Sequence, residues 1–169
     1  MNDSSVRNIL WYQFGAALDT LERAITACPD KTWGDQISFY EFWYYAYHTL
    51  FWTDFYLSNQ QEEDFEPPAP FTLGEFEPDV LPERVYSKAE LIAYLEFVRA
   101  KARAHIASLT LERMETHLKI WRRDFSLLEW LLYNLRHVQH HAAQLNLLLR
   151  QAGVTPPNWV SRTAHPLEG

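Results

Sequence analysis

The chain has 169 residues, 47% of them hydrophobic and 22% charged, which fits one domain with a sizeable core and excludes a multi-domain machine. Fifteen Lys and Arg against 22 Asp and Glu give a net charge of −7, which opposes non-specific attachment to nucleic acid or anionic lipid. Only 5 Gly are present, which argues against long flexible tracts, and more than a third of the Trp, Tyr and Phe residues fall within residues 39–56.

In chain order, residues 6–27 carry Ile9, Leu10, Phe14, Ala17, Leu18, Leu21 and Ile25 at spacings of three and four, predicting an amphipathic helix that Pro29 ends. Cys28 is the single cysteine and has no internal disulfide partner. Residues 1–10 lack a signal organisation, so the expected compartment is the cytoplasm. A second helix is predicted over residues 38–57, opened by Ser38 and Glu41 at capping-box spacing, with residues 32–36 offering an earlier turn. Its apolar run is interrupted by Glu41, His48 and Asp54, which argues against a membrane span.

Residues 60–86 contain Pro67, Pro68, Pro70, Pro78 and Pro82, cannot be helical, and are long enough to cross the length of a bundle. Ser87 and Glu90 then open a third helix through Leu91, Tyr94, Leu95, Val98, Ala102 and Ile106, and residues 110–117 read as a short extra turn. Lys119, Arg122 and Arg123 form a solvated connection rather than a phosphate-binding patch. Ser126 and Glu129 open the longest helix, residues 127–151, which Gly153, Pro156 and Pro157 close. No window alternates with period two for long enough to make a strand. The expected class is all-α, a four-helix bundle with a long crossover between helices two and three, forming one domain over residues 1–169.

The chemistry concentrates on histidines. His137 and His141 lie four apart on the last helix, about 40° around its axis and about 6 Å between Cβ atoms, so both imidazoles reach one ion. Their face borders the apolar stripe Leu131, Leu135, Val138, Ala142, Leu145 and Leu149, whereas His140 projects about 100° away. A third ligand from another helix would complete an open site. His48, among Tyr44, Tyr45, Phe51, Trp52 and Phe55, is either that ligand or a core histidine bonded to a side chain. Val138 follows His137 where a His-Glu-x-x-His protease has its Glu, which excludes zinc proteolysis as the leading idea.

The segments Tyr47-His48-Thr49-Leu50-Phe51-Trp52, Ser126-Leu127-Leu128-Glu129 and Arg136-His137-Val138-Gln139-His140-His141-Ala142-Ala143-Gln144-Leu145 resemble the DinB-like superfamily, in this order and over essentially the whole chain. The resemblance implies a four-helix bundle in which His48, His137 and His141 bind a divalent metal. Where many members follow the last ligand with Arg-Gly-Gln, this chain has Ala142, Ala143 and Gln144. Three imidazoles suit zinc, nickel, copper or iron; zinc or nickel is the first expectation and iron the next.

Two functional expectations follow. The first is a small-molecule enzyme, a metal-dependent transferase or hydrolase; the resemblance points to a low-molecular-weight thiol or another nucleophile acting on an electrophile. Its pocket would be lined by Tyr44, Tyr45, Trp52, Trp130 and Gln144, with Glu41 bracing an imidazole N–H and Trp159 folding back as a lid or packing on the bundle. The second is a non-catalytic metal-binding or interaction protein. Rings on nearly all sides of helix two, and the resemblance, point to a homodimer. His105, His117 and His165 read as isolated and solvent-facing.

Overall fold

The computed structural model describes residues 2–35, 40–77, 80–120 and 122–167. Asn2 starts the first helix, α1 (Asp3–Ala27), its Oδ1 accepting the Ser5 N–H at 2.9 Å. This cap lies upstream of the first apolar repeat, so the helix begins earlier than periodicity alone places it. After Pro29 a single turn, α2 (Asp30–Trp33), precedes α3 (Phe42–Ser58). Glu41 takes the N-cap position of α3 without a side-chain cap, and the predicted cap Ser38 lies outside the described residues. Asn59, at φ 58°, ends α3 in the left-handed region that Asn tolerates.

Ser87 and Glu90 form the full capping box of α4 (Lys88–Ala107). A short helix, α5 (Leu111–Met114), leads into α6 (Leu127–Gln151), where Ser126 accepts the Glu129 N–H at 3.2 Å. At the far end Gly153, at φ +75°, donates to Arg150 O while Val154 donates to Leu149 O, a Schellman motif that stops the helix. Between α5 and α6 the all-α expectation is corrected. Strands β1 (His117–Ile120) and β2 (Arg123–Ser126) pair antiparallel, and their four residues are too short a run for alternation to register. The cluster Lys119, Arg122 and Arg123 belongs to this hairpin.

The protein is mostly helical. Helix α1 packs against α6 and α4, and α3 packs against the same two, so α1 and α3 stand on a diagonal and meet only lightly. The surplus rings of α3 are covered from within the chain. Phe42, Tyr47, Phe51 and Phe55 are fully buried, and the proline-rich segment supplies their neighbours. Phe65 and Phe76 sit 5.2 and 4.9 Å from Phe55, and Phe71 stacks at 4.3 Å on Tyr94 of α4. Among the described residues, Tyr44, Tyr45 and Trp52 of α3 are only partly buried, and Tyr40, just before the helix, is 42% exposed. No described helix is long and apolar enough to cross a membrane.

The C-terminal segment straps α1. Thr163 N donates to Tyr12 O, Trp11 Nε1 donates to His165 O at 2.8 Å, and Arg103 Nε donates to Leu167 O at 2.9 Å. Gly15 makes room for this: a Cβ there would stand 2.7 Å from Thr163 Cγ2 and 2.9 Å from Thr163 Cβ. Gly15→Ala is therefore expected to lower stability by about 1–3 kcal/mol and to speed proteolysis within residues 158–167. Urea denaturation within 0.5 kcal/mol of the parent, as for about any neutral surface change, would refute that packing.

Candidate metal centre

Four-residue spacing builds the site. On α3, Tyr44, His48, Trp52 and Tyr56 recur along one stripe, and Tyr40 extends it by a ring contact at 4.7 Å with Tyr44. On the facing α6, Tyr133, His137 and His141 form a second stripe. Where the stripes meet, imidazole centroids lie 5.6 Å (His48 to His137), 4.8 Å (His48 to His141) and 4.5 Å (His137 to His141) apart. One ligand atom from each of the three histidines lies within 4.8 Å of the others. This is a spacing at which a single ion can be shared.

Each ring has a distinct support. A carboxylate accepts only, so His48 Nδ1 carries its proton toward Glu75 Oε2 at 2.7 Å, which leaves Nε2 as the free acceptor. His141 Nδ1 is 2.6 Å from Gln144 Oε1, with the same consequence for its Nε2. His137 Nε2 is buried with no hydrogen-bond partner. An orphaned imidazole nitrogen between two other imidazoles is the donor set a divalent transition metal requires, so these residues fit such an ion.

Electrostatics favours the neutral, ligating form. Burial first, then the neighbouring imidazoles of His141 and His48, push His137 down to about 2, against a backbone hydrogen bond with Thr49. Burial and then His48 push His141 down to about 4, opposed by Gln144. Both folded values lie below the ordinary 6.5, so their stabilisation is complete above pH 6.5 and lost as pH falls toward the folded values. Chelator-treated protein should therefore lose stability from pH 6.5 downward, by at most about 1.4 kcal/mol per pH unit for the partly buried His137 alone. Denaturant titrations at stepped pH measure this slope. His137→Gln should flatten it, and an unchanged slope would contradict the burial argument.

Glu75 is the residue that sequence reasoning missed. It sits in a single 3-10 turn (Leu73–Phe76) of the proline-rich segment, with Phe76 packed against Phe51 at 5.1 Å as its anchor. Its side chain is 2% exposed, and Oε2 also accepts from Trp52 Nε1 at 3.0 Å. The bracing expected of Glu41 is thus supplied by Glu75, because the Glu41 carboxylate is engaged by Trp43 Nε1 at the start of α3. Beside Glu75, burial and then the carboxylate raise the Tyr44 phenol far above its ordinary value.

In front of the histidines lies a pocket of about 380 Å³. Tyr44, Trp52, Tyr56 and Tyr133 line it together with His48, His137 and Glu75, under a rim formed by Val80 and Leu81. Three residues expected in the lining are not part of it. Trp130 is 2% exposed, donates Nε1 to Leu118 O at 3.0 Å and stacks on Tyr56 at 5.7 Å, so it backs the wall from behind. Tyr45 packs against Tyr40, and its carbonyl accepts from Thr49 Oγ1. Gln144 lies behind His141 and outside the lining.

Trp159, 70% exposed, walls a separate groove of about 640 Å³ with Arg136, His140 and the other side of His137, and does not close over the first pocket. His140 is exposed. His117 is exposed and 3.0 Å from Asp124, and His165 is exposed. His105 departs from its solvent-facing expectation: it is half-buried, and burial lowers its pKa.

A family model described as the DinB superfamily matches residues 13–145. Among solved structures, the chain is similar to a DinB-like protein from Bacillus cereus ATCC 10987, with a TM-score of 0.64 and 18% identity. That match covers 85% of this chain and 91% of the other, and at this identity the likeness is one of fold. No curated protein matches the sequence.

Proposed function

The chain belongs to the DinB superfamily, and from that premise we propose that it is a four-helix-bundle, cytoplasmic protein whose His48, His137 and His141 hold one divalent ion for small-molecule chemistry. The observation that carries this reading is the orphaned His137 Nε2, buried between two imidazoles whose opposite nitrogens are already engaged by Glu75 and Gln144. Zinc or nickel fits three neutral imidazoles first, and iron is the next candidate. When bound, such an ion supplies Lewis acidity and lowers the pKa of a water or thiol at its open position.

The protein's own groups do the rest. Glu75 fixes the tautomer and orientation of His48 and leaves its unprotonated Nε2 with a more basic lone pair for a metal ion. Trp52 shares the same carboxylate oxygen, which locks the Glu75 rotamer. Tyr44, Tyr56 and Tyr133 line the pocket with ring faces against which a small substrate can lie. Glu75→Ala should lower metal affinity about 10–100-fold, as loss of a partner behind a ligand does, and competition with a chromogenic chelator measures it. An unchanged affinity would remove Glu75 from the centre.

The enzymatic reading is tested by turnover. Metal-loaded protein, given a low-molecular-weight thiol and a panel of electrophiles, or simple esters and amides, should show activity that chelation abolishes and metal restores. Absence of all metal-dependent turnover would favour the second reading, a non-catalytic metal-binding protein acting through a dimer. That reading is supported by exposed Leu132 and Leu147 on α6 and exposed Ile9 on α1. A homodimer is part of our proposal, and a monomer in sedimentation equilibrium at micromolar concentration would remove it.

A further inference from the structure

The pocket carries a chemical bias beyond its metal ligands. Among the described residues its lining has no Lys or Arg; besides the histidines its charged side chains are Glu75 and Glu77. The lining also carries the rings of Tyr40, Tyr44, Trp52 and Tyr133, flat surfaces against which an apolar body can lie. Among the lining side chains an anionic group would find no cation and would face two carboxylates, so its attraction would come from the ion of the proposed centre and from Arg123, which lies 5.5 Å from the Tyr133 ring.

Glu75 supplies the specific feature. With its side chain 2% exposed, Oε2 accepts from His48 and Trp52 and the Tyr44 phenol adjoins the same carboxylate, while Oε1 is buried with no hydrogen bond within 3.5 Å. A buried carboxylate oxygen left without a donor is costly, and a molecule that brings an N–H or O–H to it recovers that cost. We propose, resting on the reading of this site as a small-molecule centre, that the pocket selects an uncharged, flat, apolar molecule that donates a hydrogen bond to Glu75 Oε1. Glu75 is thus a specificity-determining residue as well as the brace of His48. Glu77, exposed at the rim, repels anions on approach.

Three probes with similar bodies test this: benzyl alcohol, which donates; benzyl methyl ether, which only accepts; and benzenesulfonate, an anion that is a poor ligand for metal ions. Each is titrated into zinc-treated protein while the indole N–H resonance of Trp52, which lines the pocket, is followed by NMR. The alcohol should bind about tenfold tighter than the ether, the value of one hydrogen bond to a charged group, and the sulfonate should be weakest. Glu75→Gln keeps an amide oxygen for His48 and Trp52 but places an NH2 where Oε1 stood, so the advantage of the alcohol should vanish. Ether or sulfonate binding as tightly as the alcohol would overturn the proposal, as would a tenfold gap that survives in Glu75→Gln. Zinc content, measured on the same samples, separates the two readings. An empty centre refutes the metal assignment, whereas a filled centre with equal probe affinities refutes the selectivity alone.

Discussion

His137→Ala should abolish stoichiometric metal binding while leaving the protein folded. Loss of a partner behind a ligand costs about 10–100-fold in affinity, so loss of a ligand itself is expected to exceed about 100-fold. The fold should survive because the change removes a buried nitrogen that no hydrogen bond satisfies in the metal-free protein. The neighbours Tyr56 and His141, at ring separations of 5.8 and 4.5 Å, can relax into the space. Metal analysis after exhaustive dialysis should find about one ion per chain in the parent and none in the variant, with matching far-ultraviolet spectra. Parent-level metal in His137→Ala would sink the three-histidine assignment.

Lys101→Met should be the most destabilising of the single changes considered for the scaffold. Asp54 of α3 is 1% exposed at its side chain, and Lys101 of α4 reaches its Oδ1 at 2.5 Å and its carbonyl at 3.1 Å, while Tyr94 donates to Oδ2 at 3.0 Å. Burial raises the Asp54 carboxyl above its ordinary value, and Lys101 is the chief influence opposing that rise. Removing the ammonium leaves a buried carboxylate with one phenol, at a cost of about 3 kcal/mol. Because this pair ties α3 to α4, the loss also loosens the helix that carries His48. In a double-mutant cycle, Asp54→Leu combined with Lys101→Met should cost less than the sum of the two single changes. A Lys101→Met variant within about 0.5 kcal/mol of the parent would show that the pair contributes nothing.

What could be read from the sequence follows its physical origin. Helix α6 and its histidine pair were legible because the 3.6-residue period, the Ser126 cap and Gly153 all act within a few residues of the chain. His48 was legible as a candidate because an imidazole inside an apolar stripe needs a partner, and the fold brings it to His137 and His141. Glu75 was not legible. Its position depends on Phe65, Phe71 and Phe76 docking against α3 and α4, contacts that no local periodicity encodes. The hairpin was missed for a related reason: four-residue strands His117–Ile120 and Arg123–Ser126 are held by each other and by the Leu127 N–H to Thr116 O bond rather than by a pattern of their own. Trp130 and Tyr45 show the limit of a helical wheel, which places a ring near a face but not on one side or the other of a wall.

The most direct test of the metal centre is anomalous diffraction at the zinc edge from crystals of the zinc-loaded protein. One peak is expected, about 2.0–2.1 Å from one nitrogen of each of His48, His137 and His141. A map with no peak among these three rings, or with the ion held elsewhere on the chain, would contradict it.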